Sequence, residues 1–460
     1  MSQGLVPHDR PCLEFDDLVR SFLPPGKSER LVGIEVECGL VRPDSGRSVR
    51  YDEPGGTRAL LETLLDGMAG EPVLEDGSLV GLRLPDGATL TLEMAGAIEY
   101  SSAPTASLTE GLRRARECLT EVARVAAPLG LRLLTGGQLP FDAPDGIRWT
   151  PKSRTEIMRR YFAGLGDGGR LGDQVMGLTL STQLSLDALD EAEYLDKLKV
   201  LLAVSPFLAA ILANTPALDT GEAASSNGTA SRRMTYWRRI DPARCQHLTA
   251  RLYEVSALAE LAETLSDLPM IYRRSGTGYV AGQVGSFRQV VREGFEDGTM
   301  PTLDDWKTHL RQVWPAVRPR QTLETRLPDG QAWEHLGVLP ALFLGLAEEP
   351  AVRRKVTDLL ADLRTEALDL ITLKAAESGP DGIAAPIRET AEQLVMLADQ
   401  GLAARVADGT ESPEVLGLLD PAREWAATGR PPAEALRAAW TGPWRRRPDR
   451  YVAAMAVPED

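Results

Sequence analysis

Leu31-Val32-Gly33-Ile34-Glu35-Val36-Glu37-Cys38 alternates apolar and acidic residues with a period of two. A β-strand sends successive side chains to opposite faces, so Glu35 and Glu37 share one face while Ile34, Val36 and Cys38 share the other. Other segments repeat the pattern. Thr89-Leu90-Thr91-Leu92-Glu93 carries Glu93 on its polar face, with Glu99 six residues on, and in Gln321-Thr322-Leu323-Glu324-Thr325-Arg326-Leu327 the acid Glu324 shares a face with Arg326. A sheet that gathers five glutamates on one side either wets that side or binds cations there.

Outward from these segments, the first hundred residues read as strands punctuated by turns, among them Asp76-Gly77 and Pro85-Asp86-Gly87. Thr57 to Met68 is the exception, with helical apolar spacing. Leu108 to Ala127 has helical spacing through Leu112, Ala115, Leu119, Val122 and Ala126, ended by Gly130. Gly177 to Asp187 alternates strictly, which predicts a strand with Gln183 on its polar face. Helical pattern resumes from Glu191 to Ala213, a polar loop follows at Thr220 to Thr229, and Ala351 to Lys374 and Ala385 to Ala407 are helical again. Strands and helices interleave without a βαβ rhythm, which favours an α+β fold with a mainly antiparallel sheet. The expected organisation is an α+β sheet region over residues 1–335 and a helical C-terminal region over 336–460 packed on it as one integrated domain.

The 460 residues, 43% of them hydrophobic, suffice for a sizeable core. A net charge of −15 argues against nucleic acid or an anionic membrane as partner, because both are recognised through basic surfaces. Cys12, Cys38, Cys118 and Cys245 have no CxxC spacing, so the expectation is free thiols and a cytoplasmic protein. The apolar run Val200 to Ala213 is too short for a membrane span and is interrupted by Ser205 and Pro206.

Several motifs have bland explanations. Gly26-Lys27-Ser28 lacks the first glycine of a phosphate loop and precedes a strand, Gly276-Thr277-Gly278 reads as a turn, and Cys245 with His247 lacks a second ligand pair. His8, His247, His309 and His335 form no readable catalytic set. The glutamates read differently. Mg²⁺ takes oxygen ligands and is shared between a few carboxylates and substrate phosphates, and Arg326 beside Glu324 adds a cation where a phosphate or carboxylate would sit. The acidic face with an arginine at its edge therefore reads as a metal–nucleotide site.

The same segments, in order, resemble the glutamate–cysteine ligase family of the plant and proteobacterial type, related to the actinobacterial enzymes of ergothioneine synthesis. The resemblance runs through Gly33 to Glu37, Leu92 to Pro104, Pro151-Lys152-Ser153-Arg154 to Tyr161, Thr182 to Asp187 and Leu212 to Pro216. It continues through Asn227-Gly228, Arg233, Trp237, Asp305-Trp306, His309-Leu310, Leu323 to Arg326, Trp333 and Leu339-Pro340-Ala341. It implies a curved, glutamine-synthetase-like funnel with helices outside. It also implies ATP as cosubstrate and Mg²⁺ held by Glu35, Glu37, Glu93, Glu99 and Glu324. Gln183 would complete the polar face, and Arg233 and Arg326 would contact the transferring phosphoryl group or the glutamate carboxylates.

The reaction so implied phosphorylates the γ-carboxylate of glutamate, and an amine then displaces phosphate. The chain departs from the family at Ala95-Gly96-Ala97-Ile98, at Leu178 and at Arg232 to Tyr236, all toward the substrate side. Cysteine is the first candidate for the acceptor and another amino acid or amine the second; a non-catalytic relative that binds nucleotide or amino acid is the reading from another class.

Overall fold

The computed structural model describes residues 13–218, 229–378 and 382–460. Cys12, His8, Asn227-Gly228 and nearly all of the loop Thr220 to Thr229 lie outside the described residues.

The opening segment forms β1 (Val32–Val41), whose first half buries every second side chain. Around it are built β2 (Glu71–Glu75), β3 (Ser78–Arg83), β4 (Thr89–Leu92), β5 (Ile98–Ser101), β6 (Arg132–Leu134) and β7 (Thr182–Leu186). A short hairpin, β8 (Tyr272–Ser275) and β9 (Gly278–Ala281), stands apart, and β10 (Val317–Pro319) and β11 (Leu323–Thr325) complete the set. The large sheet has nine strands in the order β10-β11-β7-β1-β5-β4-β3-β2, with β6 also paired to β1. Every pairing is antiparallel.

Register is what places the site. Arg318 lies opposite Glu324 and Glu324 opposite Ser185. One rung further on, Gln183 faces Glu35, which faces Ser101; beyond that, Glu37 faces Glu99, which faces Thr91. Directly opposed residues project from the same face, so the polar residues of six strands form rows on one side of the sheet.

The other side is grease: Ile34, Val36, Cys38, Leu90, Leu184 and Leu186 belong to one core cluster. The helix Leu108–Ala126 buries Leu108, Leu112, Ala115, Leu119, Val122 and Ala126, and a Cβ at its Gly111 would sit 3.1 Å from the Ile34 side chain. Glu191–Ile211 is buried along most of its length, and no helix among the described residues is long and apolar enough to cross a membrane. From the C-terminal region, Val338–Ala347 crosses Ala385–Ala407 at Gly345 and Gly401, where a Cβ on Gly401 would meet the Gly345 carbonyl oxygen at 1.8 Å. Leu342 and Leu394 of these helices belong to the same core cluster as Ile34, so one apolar layer serves both regions.

The structure corrects three expectations. Gly177 and Leu178 end a helix, Gly172–Leu178, rather than beginning a strand. The chain then leaves extended at Thr179 and pairs with Gly137 and Gln138 before joining β7 at Thr182, so the leucine alternation outlasts the ladder. Glu93 stands one residue past β4, in a turn where its amide donates to the Ala97 carbonyl at 2.7 Å. Ala351 to Lys374 is two helices, Pro350–Leu359 and Thr365–Ala376.

Two of the weaker motifs find structural uses. Lys27 pairs with Asp187 at 2.5 Å and donates to the Gln321 carbonyl at 3.0 Å, clipping the N-terminal segment across the ends of β7 and β11. Gly276 and Thr277 make the β8–β9 turn, with φ +58° at Gly276.

Candidate active site

The polar face lines a cavity of about 470 Å³ into which all four glutamates of β1, β5 and the β4–β5 turn look. Burial costs a carboxylate its hydration, and a like charge nearby adds to that cost, so both favour the protonated form. Burial, together with Glu93, pushes Glu37 up to about 7. Glu35 is raised by burial and by Glu324, and Glu99 is raised well above the carboxylate range by burial and by Glu35, Glu93 and Glu37. Their hydrogen bonds are few and long: Thr91 and Ser101 hydroxyls reach Glu99 at 3.4 and 3.3 Å, and the Gln183 amide reaches Glu37 at 3.4 Å.

Glu324, on β11, has the opposite surroundings. It is fully buried, and Arg318 donates to it at 2.7 and 3.0 Å from one guanidinium nitrogen. Arg326 donates at 2.6 Å, and Arg320 makes a third contact. Burial alone would raise Glu324, but the guanidinia of Arg318, Arg320 and Arg326 outweigh it and hold the group far below the usual range. Three guanidinia occupy the lone pairs of one carboxylate, so Glu324 has no free edge for a cation and the cluster stays net positive. Of the five glutamates read as metal ligands, Glu324 is thus the one held by three arginines.

Arg326 also donates to the Gln183 carbonyl oxygen at 2.8 Å, and Gln183 in turn donates to Ser181 at 2.8 Å. Through Gln183 the arginine cluster is thus tied to Glu37, and through Arg320, 3.7 Å from Glu35, it touches the acid row directly. Arg233 has a different place from the one expected. Its guanidinium donates to the carbonyls of Arg326, Leu327 and Pro328 at 2.9, 2.9 and 3.0 Å, bracing the backbone that presents Arg326. It borders the cavity, but most of its hydrogen-bonding capacity goes to the main chain.

Five cations that sequence reasoning left off the site are also here, Arg311 among them. Arg318 and Arg320 continue the period-two spacing of β10 toward Glu324, a signal present in Arg318-Pro319-Arg320 but visible only once the β10–β11 pairing is known. Lys152 and Arg154 open the helix Ser153–Ala163 at the opposite edge of the acids. Burial, with Arg154 nearby, lowers Lys152 to about 8, and its ammonium donates to the Leu92 carbonyl. The remaining wall is apolar, with Met94, Met158, Met176, Trp237 and Trp314.

Among the described residues, no three His, Cys, Asp or Glu side chains close on one point as a finished metal cage. Mg²⁺ seldom uses one, since it keeps waters and takes its remaining ligands from substrate phosphates. Glu35, Glu37 and Glu99, raised in proton affinity by burial and like charge, fit such a cation, because it would relieve the repulsion that a proton otherwise relieves.

Comparison with known proteins agrees with this architecture over nearly the whole chain. The model of glutamate-cysteine ligase family 2 (GCS2) matches residues 31–450. The chain is 30% identical over 451 residues to the chloroplastic glutamate–cysteine ligase of Nicotiana tabacum, covering 94% of this chain and 81% of the relative. It is 28% identical over 444 residues to the Brassica juncea enzyme, covering 94% and 82%. Among solved structures, glutamate–cysteine ligase from Francisella tularensis in complex with AMP superposes with a TM-score of 0.54 at 12% identity, covering 94% of this chain and 88% of that one. That last likeness is one of fold. With the family model spanning all the strands of the acid row and of the arginine cluster, the chain belongs to glutamate–cysteine ligase family 2.

Proposed function

We propose that the chain is an ATP-dependent ligase that activates the γ-carboxylate of L-glutamate as an acyl phosphate and joins it to the amino group of L-cysteine. The observation that carries this reading is the pairing, in one cavity, of four glutamates with a net-positive arginine cluster. Phosphoryl transfer asks for little else, being mostly positioning and charge neutralisation.

Glu35, Glu37, Glu93 and Glu99 are the residues that would hold Mg²⁺, which supplies charge neutralisation at the ATP phosphates. Arg326 faces the γ-carboxylate and the transferring phosphoryl group, and Arg318 and Arg320 add to the positive field there. Glu324 keeps those three guanidinia from repelling one another apart. Gln183 sets the distance between Arg326 and Glu37. Arg233 acts one step back, through the backbone after β11. The attacking amine must be neutral, and Glu37, raised to about 7 by burial and Glu93, is the carboxylate of the row suited to accept its proton. Free thiols at Cys38, Cys118 and Cys245 suit a reducing compartment such as the cytoplasm.

The test is ADP release that requires glutamate, cysteine and Mg²⁺ together, with the γ-glutamyl product identified by mass. Hydroxylamine in place of cysteine should trap the acyl phosphate as a hydroxamate. Neither hydroxamate nor phosphate with glutamate and ATP would rule the chemistry out.

A further inference from the structure

Two cations in the wall of the main cavity lack a counter-ion. Arg318, Arg320 and Arg326 share Glu324, and Arg233 donates to main-chain carbonyls, but Lys152 and Arg154 form no ion pair among the described residues. Lys152 is only 7% exposed, and its one hydrogen bond goes to the Leu92 carbonyl. Arg154 is partly buried and lies over the Tyr279 ring, 6.0 Å from its centroid. A charge withdrawn from water without a partner is costly, so two of them side by side in a cavity wall point to an anion from outside the chain.

Their position is firmly held. Ser153, between them, donates its hydroxyl to Glu75 at 3.1 Å and accepts the Tyr279 amide at 3.0 Å, and just before them the Thr150 amide donates to the Met94 carbonyl at 2.9 Å. Strand order then fixes what they face. The arginine cluster stands on β10 and β11, the acids follow on β1 and β5, and Lys152 reaches the end of β4 at Leu92. Charge along the sheet therefore runs positive, negative, positive.

This order selects the kind of anion. Glu93, Glu75 and Glu99 stand near Lys152, and Glu93 and Glu75 near Arg154, so a bare carboxylate drawn to the two cations would also meet these acids. A polyphosphate escapes that repulsion, because it shares a divalent cation with the carboxylates. Resting on the ATP-dependent reading above, we propose that Lys152 and Arg154 bind the two phosphates that are not transferred. The nucleotide then lies along the acid row, its γ-phosphate at Arg326 and its diphosphate at the start of the helix Ser153–Ala163. After transfer, Lys152 and Arg154 still hold ADP, whereas Arg326 has no remaining contact with it.

Calorimetric titration of the full-length protein with ADP in excess Mg²⁺ tests this without turnover. Lys152→Met and Arg154→Gln should each raise the Kd of ADP roughly tenfold or more, as loss of a charge-assisted hydrogen bond does. AMP, which has no β-phosphate, should lose less, and Arg326→Lys should leave the Kd of ADP within about twofold. Arg154 is only partly buried, so Arg154→Gln decides the matter if Lys152→Met does not fold. An unmoved Kd in Arg154→Gln would overturn the assignment. So would a raised KM for cysteine with ADP binding and hydroxylamine turnover unchanged, since the pair would then be holding the carboxylate of the acceptor. ADP binding that follows the expected pattern in a protein yielding no γ-glutamyl product would sink the ligase reading and leave the diphosphate site standing. No binding of ADP to the unmodified protein would sink both.

Discussion

The acid row of β1 and β5 and the arginine cluster of β10 and β11 occupy one face of one sheet, yet they treat a buried glutamate in opposite ways. Glu37, at the cavity wall, is raised to about 7, while Glu324, fully buried, is held far below the normal range. Burial pushes each up by the same mechanism. What differs is the company: Glu37 meets Glu93 and a distant Gln183 amide, whereas Glu324 meets three guanidinia. A carboxylate with its charge compensated inside the protein serves the fold. One left uncompensated is available to a ligand.

The largest effect should come from breaking the compensated side. Glu324→Gln leaves three guanidinia facing one another without their anion, a change expected to cost about 3–5 kcal/mol by denaturant titration and to abolish ADP release. An unaltered midpoint would show that Glu324 does not organise the cluster. On the other side, Glu37→Gln should do the reverse for stability, leaving it equal or higher at pH 8 because a repulsive charge is gone. Its turnover with saturating Mg²⁺ should nevertheless fall on the order of 10²–10³-fold, the size of effect seen when a preorganised electrostatic group is lost. Full turnover in this variant would remove Glu37 from the metal set.

Arg326→Lys sharpens the comparison further. Lysine keeps the charge but cannot hold Glu324 and Gln183 at once, so turnover should drop roughly 10–100-fold with little change in melting temperature. Equal activity would mean that charge alone matters there.

The smallest effect is a matter of pH. A carboxylate whose folded pKa is raised binds more protons folded than unfolded between its two pKa values, so stability falls as pH rises across that window. For Glu37 the window runs from the ordinary carboxylate range up to about 7, and Glu35 and Glu99 act in the same direction. The protein without Mg²⁺ should thus melt lower at pH 8 than at pH 5.5 on account of this row. Mg²⁺ should restore more at pH 8, where the row is ionised; at a hundredfold excess over Kd the gain is about 2.7 kcal/mol. A Mg²⁺ effect of equal size at both pH values would contradict the assignment.

The legible part of the site is the part that alternates. Glu35 and Glu37 could be placed on one face from period two alone, and Glu324 with Arg326 likewise, because a strand's geometry leaves no choice. The helix Leu108–Ala126 was equally plain from its apolar stripe and the Gly130 that follows it. The failures have physical causes too. Gly177-Leu178 continued an alternation in letters but not in backbone, since burial on both sides of a helix end produces the same leucines. Arg318 and Arg320 were overlooked because a lone arginine pair in a strand is ordinarily solvated, and only their pairing to β11 closes them on Glu324. Arg233 lines the cavity while donating to three carbonyls, and nothing in Arg232-Arg233-Met234 signals those carbonyls.

By itself the sequence determined the local rules: which residues alternate, which spiral, and that acids and greasy residues must face apart. It therefore determined the fold class and, with the order of its motifs, the chemistry to look for. Tertiary structure decided which charges meet. A glutamate's proton affinity depends on neighbours brought from β5, β7, β10 and β11, and those distances are set by strand order and register, which no single segment contains. For that reason five similar glutamates in the chain became four open carboxylates and one that the arginines keep closed.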